Sequence, residues 1–222
     1  MHVRLAAAAD AQALALAHPL PRETTVPEPA FRGFCRAKVL IYTGTPGAGI
    51  VTGWVDGRVA GFMYYCLDLR EVTRSSRSPR RLLWMLKEAL LGRFGFSPRF
   101  WLQMARSAVQ HFRGQRGAPA GPSEADRRAE EFRSWITGLE TVPEFRRLGV
   151  ATAILDGIEA VLAELGARYI ALWVAVENEV ACEIYARRGY REVAVLPRIG
   201  EDCRLMVKDV GVTLDQAAGE DG

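Results

Sequence analysis

The chain has 222 residues, of which 49% are hydrophobic and 25% charged, and its net charge is +3. This composition predicts one soluble globular domain with a full hydrophobic core. No apolar run approaches the roughly 20 residues that cross a bilayer, so no membrane span is predicted. Four cysteines without CxxC spacing and three histidines argue against a metal site or a disulfide framework and fit a reducing cytoplasm.

The N-terminal part of the chain predicts a strand, two helices and a hairpin. His2–Leu5 is a strand candidate, and the alanine-rich stretch capped by Asp10 predicts a helix through residue 17 rather than a signal peptide. A second helix is predicted over residues 30–42. Residues 49–55 and 58–69 flank Asp56-Gly57, a strong hairpin signal because a type I′ turn needs positive φ at both positions.

Residues 73–117, here named the basic segment, carry ten arginines and lysines against Glu88 alone, a net charge of +9. Helices are predicted over residues 82–91 and 98–113. The second is amphipathic, with Trp101 and Phe112 on one face and arginines on the other. Two interpretations stay open: a solvated helical hairpin packed on the sheet edge, or a surface for an anionic membrane or acceptor. Nucleic acid is disfavoured, because the charge is not repeated elsewhere.

The centre of the chain predicts a strand, a tight turn and a helix. Residues 135–142 have strand character and end at Pro143, and apolar residues recur at helical spacing from Val150 onward. A helix start presents unpaired N–H groups that attract anions. Small residues around Gly149 allow a phosphate to approach the backbone, so the turn suits a pyrophosphate. The turn is neither a P-loop nor a dinucleotide fingerprint.

A second strand and helix follow. Residues 169–176 predict the strand, and residues 177–190 predict a short helix closed by Gly189. Together the two halves contain the motifs Arg146-x-x-Gly149-x-Ala151 and Asn178-x-x-Ala181-x-x-x-Tyr185-x-x-x-Gly189-Tyr190. In this order and separation they resemble the GNAT superfamily of N-acetyltransferases, which take an acetyl group from acetyl-CoA. The resemblance is carried by residues 136–190, extends to the part before residue 70, and is absent from residues 73–133.

The resemblance implies an α/β (α+β) fold. Its central sheet is expected to be mixed, mostly antiparallel, flanked by helices, and splayed between the fourth and fifth strands. The family usually passes from the third strand to the fourth through a short turn. Residues 1–222 are therefore interpreted as one acetyltransferase domain, with residues 73–133 as a basic helical insertion between those strands.

The resemblance also implies where acetyl-CoA binds. Backbone amides of residues 147–152 would hold the pyrophosphate, and the end of the fourth strand would pair with the pantetheine amides. Asn178 would contact the pantetheine arm, serve as a helix cap, or do both. The helix at residues 30–42 would help wall the acceptor site. The cofactor-binding candidates are Thr141, Val142, Arg146, Arg147, Leu148, Gly149, Val150, Ala151, Thr152 and Asn178.

Two residues are candidates for catalysis. Tyr185 falls where the family places a general acid that gives a proton to the thiolate, although a core tyrosine would also fit. Glu140 is the candidate general base; if the strand alternates regularly, it shares a face with Ile136. Asp68, Glu71 and a chain of water molecules are rivals for that role.

The sequence therefore predicts direct transfer of an acetyl group from acetyl-CoA to a primary amine in a ternary complex. The alternative is a non-catalytic module on the same fold that senses acyl-CoA or a membrane. A protein N-terminus, a lysine side chain, an amino sugar and a small amine all remain open as acceptor, as does a hydroxyl. A cytoplasmic location is expected, with the basic segment able to contact the inner membrane surface, and the oligomeric state is left open.

Overall fold

The structure is a computed structural model that describes residues 1–20, 27–76, 131–198 and 201–211, together with residues 78–79, 83, 87 and 127–128. The elements of the N-terminal part are β1 (His2–Leu5), α1 (Ala11–Ala17), α2 (Glu28–Thr43), β2 (Ala48–Val55), β3 (Arg58–Cys66) and α3 (Leu69–Ser76). Those of the C-terminal part are β4 (Trp135–Thr141), α4 (Val150–Glu164), β5 (Tyr169–Ala175), α5 (Glu179–Arg187), β6 (Arg191–Arg198) and β7 (Glu201–Asp209).

The strands of this part of the chain form one seven-stranded sheet in the order β1-β2-β3-β4-β5-β7-β6. Every neighbouring pair is antiparallel except β4 and β5, which are parallel and in register only where Trp135 lies opposite Ala171. Beyond that point β4 continues to pair with β3, and β5 with β7. The predicted mixed sheet, splayed between its fourth and fifth strands, is confirmed.

The sheet separates two hydrophobic clusters. Ile154, Ile158 and Leu162 of α4 pack on one face with Met63 and Ile136, and we name it the α4 face. The opposite face packs against α1 and α2 and is named the α2 face. Its cluster includes Leu14, Val39, Phe62, Tyr64 and Trp135. Gly53 and Gly61 let α4 approach the sheet closely, because an added Cβ at either residue would lie about 3 Å from Val150.

The predicted N-terminal elements are present. The hairpin turn has positive φ at both Asp56 (49°) and Gly57 (72°), as a type I′ turn requires. Asp10 stands at the N-cap position of α1 without bonding the helix amides. Its carboxylate instead accepts hydrogen bonds from the Ala7 N–H and from Arg4. The predicted strand and helix are therefore confirmed, whereas the role of Asp10 is to join the turn before α1 to β1.

A β-bulge interrupts β4 at Gly138. Thr137 lies opposite Tyr64, but Glu140 lies opposite Phe62, so three steps along β4 match two along β3. Gly138 has a φ of 66°, a left-handed conformation that glycine adopts without the steric cost of a Cβ atom. The extra residue reverses the side-chain alternation in the second half of the strand.

The bulge corrects the predicted orientation of Glu140. Residues directly opposite each other in an antiparallel pair share a face, so Glu140 and Phe62 both lie on the α2 face. Ile136 packs on the α4 face. The expectation that Glu140 shares a face with Ile136 is wrong, because it assumed regular alternation through Gly138.

The predicted helical insertion begins after β3 and ends before β4. Within it, α3 (Leu69–Ser76) is described, and α3 begins four residues before the predicted start at residue 73. The helices predicted over residues 82–91 and 98–113 lie outside the described residues, so they stay predictions. Among the helices that are described, none combines the length and the apolar character that a membrane crossing requires.

Candidate active site

The parallel pair β4 and β5 opens into a gap that the predicted site residues surround. The strands are joined at their N-terminal ends, where the Ala171 N–H donates a hydrogen bond of 2.9 Å to the Ser134 carbonyl. Trp135 and Trp173 stack across this end with ring centroids 6.3 Å apart. Toward their C-terminal ends the strands diverge, which leaves backbone groups of both strands facing the gap. The gap is therefore open on the side where α4 and α5 begin.

The turn before α4 presents backbone amides to this opening. Gly149 is the N-cap residue, with a φ of 77° and no side-chain cap. The first helical bond runs from the Ala153 N–H to the Gly149 carbonyl at 3.0 Å, so the amides of residues 150–152 have no partner within the helix. A Cβ atom added at Gly149 would meet nothing within 4 Å. This arrangement suits an anion the size of a phosphate group.

The predicted turn residues divide into an exposed group and a buried one. Arg146, Arg147 and Leu148 are exposed, and Leu148 keeps 58% of its surface accessible. The side chain of Val150 is instead buried in the core on the α4 face. Val150 therefore offers an anion only its backbone amide, as does Ala151, whereas the exposed Thr152 also has a hydroxyl and Arg146 and Arg147 bring positive charge.

The structure distinguishes Thr141 from Val142, the two residues predicted to pair with pantetheine. The Val142 N–H donates to the Ala60 carbonyl, and the Val142 carbonyl accepts from the Phe145 N–H, both at 2.9 Å. Both backbone groups of Val142 are therefore used within the protein, and the structure does not support its predicted pairing. Alternate residues of a strand direct their backbone groups to opposite sides. Those of Thr141 consequently point away from β3 toward the gap.

Asn178 acts as a helix cap. Its side-chain oxygen accepts a hydrogen bond of 3.2 Å from the Ala181 N–H, at the N-terminus of α5. The residue is exposed at the end of the gap. A cap of this kind uses the amide oxygen, so the side-chain NH₂ group of Asn178 stays available as a donor.

Tyr185 is buried in the hydrophobic cluster on the α4 face. It retains 6% of its surface accessibility, and its ring lies 5.5 Å from that of Tyr190 in an edge-to-face arrangement. Burial, with a smaller effect from Cys182, raises the pKa of Tyr185 to about 12. The phenol therefore keeps its proton at neutral pH.

Glu140 approaches the gap from the opposite face. Burial is the largest influence on its pKa and raises it, while Lys38 and Arg146 act in the opposite direction. A carboxylate with a raised pKa is a better proton acceptor than an ordinary surface carboxylate. The candidate acid and the candidate base therefore lie on opposite faces of the sheet.

Asp68 and Glu71, the rival bases, lie at the closed end of the gap. Cys66, the last residue of β3, pairs with Trp135, where β4 and β5 are still joined. Asp68 accepts a hydrogen bond of 2.8 Å from Arg133, and Glu71 pairs with Arg74. Both carboxylates are thus separated from the open end by the length of β4, and each pairs with an arginine there.

Three further residues that sequence reasoning missed line the α2 face beside Glu140. The Lys38 ammonium lies 4.0 Å from the centroid of the Tyr64 ring. The Tyr64 hydroxyl is 2.7 Å from the His18 Nε2 atom. Lys38 lies three residues after Cys35 and four residues before Tyr42, which are both buried, so helical spacing places Lys38 on the buried side of α2. A lysine on the buried side of a predicted helix was the signal in the sequence that could have identified it.

The gap between β4 and β5 and the free backbone amides at the start of α4 suit an extended ligand that carries phosphate groups. The model of the acetyltransferase (GNAT) family matches residues 18–190. The chain belongs to that family. The family predicted from the motifs between Arg146 and Tyr190 is thus confirmed.

Individual relatives agree with this assignment. An uncharacterized N-acetyltransferase of Methanocaldococcus jannaschii is 39% identical over 77 residues, which are 33% of this chain and 49% of that protein. The chain thus spans about half the length of that curated relative. A solved acetyltransferase has a TM-score of 0.61 at 19% identity, covering 95% of this chain and all of its own.

A protein from Salmonella typhimurium, solved with acetyl-CoA as its cofactor, has the same fold. Its TM-score is 0.52 at 11% identity, and the match covers 96% of this chain and 95% of the other.

Proposed function

We propose that this protein transfers the acetyl group of acetyl-CoA directly to a primary amine in a ternary complex. The observation that carries the proposal is the gap between β4 and β5, which opens onto the start of α4 with Tyr185 on one side and Glu140 on the other. Fold alone does not specify a reaction. A proton donor and a proton acceptor at one opening supply the two groups that amide formation from a thioester needs.

Acetyl-CoA fits the residues around the gap. The amides of residues 147–152 and the Arg146 and Arg147 guanidinium groups would hold the pyrophosphate. Backbone groups of Thr141 would pair with the pantetheine amides as a further strand does, and the Asn178 side-chain NH₂ group would donate to the same arm. The co-substrate supplies an acetyl carbon activated as a thioester, placed where the two strands diverge.

The side chains would then move two protons. Glu140 accepts a proton from the ammonium form of the acceptor, directly or through water, because only the neutral amine is a nucleophile. The amine nitrogen forms a bond to the acetyl carbon and releases its surplus proton to solvent, and the bond between that carbon and sulfur breaks. Tyr185 gives its proton to the departing thiolate, and solvent restores that proton. The burial that raises the pKa of Tyr185 also keeps the phenol protonated until this step.

A non-catalytic module that binds acyl-CoA is the alternative. Such a module needs the turn at Gly149 and the cap at Asn178, but it does not need a proton donor and acceptor. The pKa of Glu140 is raised by burial, and the phenol of Tyr185 stays protonated at neutral pH. A proton acceptor and a proton donor of this kind favour the enzyme.

The acceptor and the location are further parts of the proposal. The basic segment, with its net charge of +9, would contact an anionic membrane surface or an anionic acceptor. Most of it lies outside the described residues, so this part rests on sequence alone. Cys35 and Cys66 are buried thiols that form no disulfide, which agrees with a reducing cytoplasm.

The test is to incubate the protein with acetyl-CoA and a panel of amines and to follow free thiol and product mass. Thiol release that depends on an acceptor supports the enzyme, whereas coenzyme A binding without turnover on any amine or hydroxyl supports the sensor. Glu140→Gln should lower turnover by about 10²-fold or more. Glu144→Gln is the matched control, because that exposed carboxylate pairs with Arg58 on the surface.

A further inference from the structure

Lys38 places a positive charge on the α2 face, beside the open part of β4. Its ammonium lies 4.0 Å from the Tyr64 ring centroid and 3.9 Å from the position that a Cβ atom at Gly138 would occupy. Any side chain at residue 138 would thus extend into the space next to this charge. The bulge at Gly138 therefore both turns Glu140 toward the α2 face and leaves room in front of Lys38.

The environment of Lys38 removes the ammonium from water without pairing it with a carboxylate. Burial lowers the pKa of Lys38, while Cys35 and Glu140 act to raise it. The aromatic face of Tyr64 offers a further attraction for a cation. Within the part of the chain that the structure describes, Lys38 makes no ion pair of 4.0 Å or less with any carboxylate. A partly buried cation of this kind has the capacity to bind an anion.

Glu140 and Lys38 form a pair of opposite charges on one face. Each changes the pKa of the other, so the two groups are close enough to interact. They are nevertheless farther apart than an ion pair requires. Two opposite charges that lie on one face without pairing are complementary to a molecule that carries both charges on neighbouring atoms.

We propose that the acceptor is a zwitterion, an amino acid whose free α-carboxylate binds Lys38 while its amine lies beside Glu140. This inference deepens the proposed function and rests on it. In an α-amino acid the two charged groups are attached to one carbon, so the molecule bridges two charges that do not touch each other. The carboxylate compensates the buried ammonium, and the amine is held next to its proton acceptor.

This arrangement also predicts discrimination against neutral analogues. An amino acid amide, or the N-terminus of a peptide, has a neutral carbonyl in place of the carboxylate. That group would leave Lys38 without an anion in a partly buried site, which is costly for binding. The wild-type protein is expected to use a free amino acid about 10- to 100-fold better, in kcat/KM, than the corresponding amide.

The experiment compares L-alanine, L-phenylalanine and L-glutamate with their α-amides as acceptors, by thiol release and by titration into the coenzyme A complex. The variants are Lys38→Met, which removes the charge, and Lys38→Arg, which keeps it. The preference for the free acids should disappear in Lys38→Met through a rise in KM for the acids alone, and Lys38→Arg should retain part of it. Lys208→Met is the control, because Lys208 pairs with Glu159 beside α4.

Three results would overturn the inference. The first is a wild type that uses amides as well as acids, and the second is a preference for acids that persists in Lys38→Met. The third is an equal loss of kcat/KM for acids and amides in that variant. The last result would mean that Lys38 acts on Glu140 or on the fold. If amines without a carboxylate are acetylated instead, the proposed function stands and this inference fails. If the wild type neither binds coenzyme A nor releases thiol with any acceptor, the proposed function itself fails.

Discussion

A Cβ atom added at Gly61 would lie 2.7 Å from the carbonyl oxygen of Glu140. The same atom would stand 3.0 Å from the side chains of Val150 and Ile154. Gly61 is thus the point where β3, β4 and the start of α4 meet most closely. The missing side chain couples the position of the candidate base to that of the anion-binding turn.

Gly61→Ala should therefore both destabilise the protein and impair its activity. The contact involves the backbone of Glu140, so the strand itself must move, and overpacking of this kind costs about 1–3 kcal/mol. Denaturant unfolding measures the loss, and turnover should fall with it. Gly211→Ala is the control, because a Cβ atom there meets only contacts of 3.5 Å or longer. Equal stability of the two variants would show that the sheet absorbs the extra atom.

Gly149 and Gly166 offer a matched pair for testing the coenzyme A site. They flank the two ends of α4, have φ values of 77° and 78°, and have nothing within 4 Å of an added Cβ atom. Glutamate at either residue should cost roughly 1–2 kcal/mol through the left-handed backbone. Only Gly149→Glu places a carboxylate at the helix N-terminus, where it would occupy the space for the pyrophosphate and repel its charge.

Coenzyme A should consequently raise the Tm of the wild type and of Gly166→Glu, but not that of Gly149→Glu. At a concentration 100-fold above Kd the stabilisation is about 2.7 kcal/mol, which thermal unfolding detects easily. A wild-type response in Gly149→Glu would show that the pyrophosphate binds elsewhere. Loss of the response in both variants would point to general damage to α4.

Tyr185→Phe should slow turnover without weakening acetyl-CoA binding. The substitution removes only the hydroxyl, and a positioned acid contributes ~10²–10⁴ in rate. Tyr190→Phe is the matched control, because the two buried rings are in contact at 5.5 Å and the second hydroxyl has no proposed role in the reaction. Pre-steady-state measurement of the chemical step should show the loss in the first variant alone. Equal rates in the two variants would assign Tyr185 to the core.

His18 should make the protein less stable as the pH falls. Burial, followed by the charges of Lys38 and Arg32, lowers the pKa of His18 from 6.5 to about 4. The unfolded chain therefore binds the proton first, and the free energy of unfolding decreases between pH 6.5 and pH 4. The change is on the order of 1 kcal/mol, since solvent reaches part of the ring. Urea unfolding across this range should show a smaller decrease in His18→Gln; an unchanged slope would contradict the assignment.

The sequence predicted the parts of the site that depend on local chemistry. Two signals are contained within a few residues each. One is Gly149 before a run of apolar residues at helical spacing, and the other is Asn178 followed seven residues later by Tyr185. The structure places Gly149 as an N-cap and Asn178 as a cap. The hairpin at Asp56-Gly57 was predicted for the same reason, because a type I′ turn is specified by its two central residues.

The parts that depend on tertiary packing could not be predicted in this way. Lys38, Tyr64 and His18 meet from three different elements, and no local pattern links them. The face of Glu140 was predicted wrongly because the bulge at Gly138 becomes visible only in the register with β3. The antiparallel pair of β6 and β7 was also missed, although it completes the sheet beside β5.

The basic segment should bind anionic membranes electrostatically if its arginines face a lipid surface. Vesicles that contain phosphatidylglycerol should then sediment the protein at low salt, and neutral vesicles should not, with up to roughly 1 kcal/mol per basic residue near the surface. Binding should weaken as salt shortens the Debye length from about 10 Å at 0.1 M to 3 Å at 1 M. Retention should be abolished when glutamine replaces three arginines that are spaced seven residues apart on one predicted helical face, Arg99, Arg106 and Arg113.

The control variant removes the same charge from three exposed arginines outside the basic segment, Arg58, Arg187 and Arg191. Equal losses of vesicle retention in the two triple variants would show that binding depends only on the net charge of the protein. If the wild type is not retained on anionic vesicles at low salt, the arginines of the basic segment face solvent.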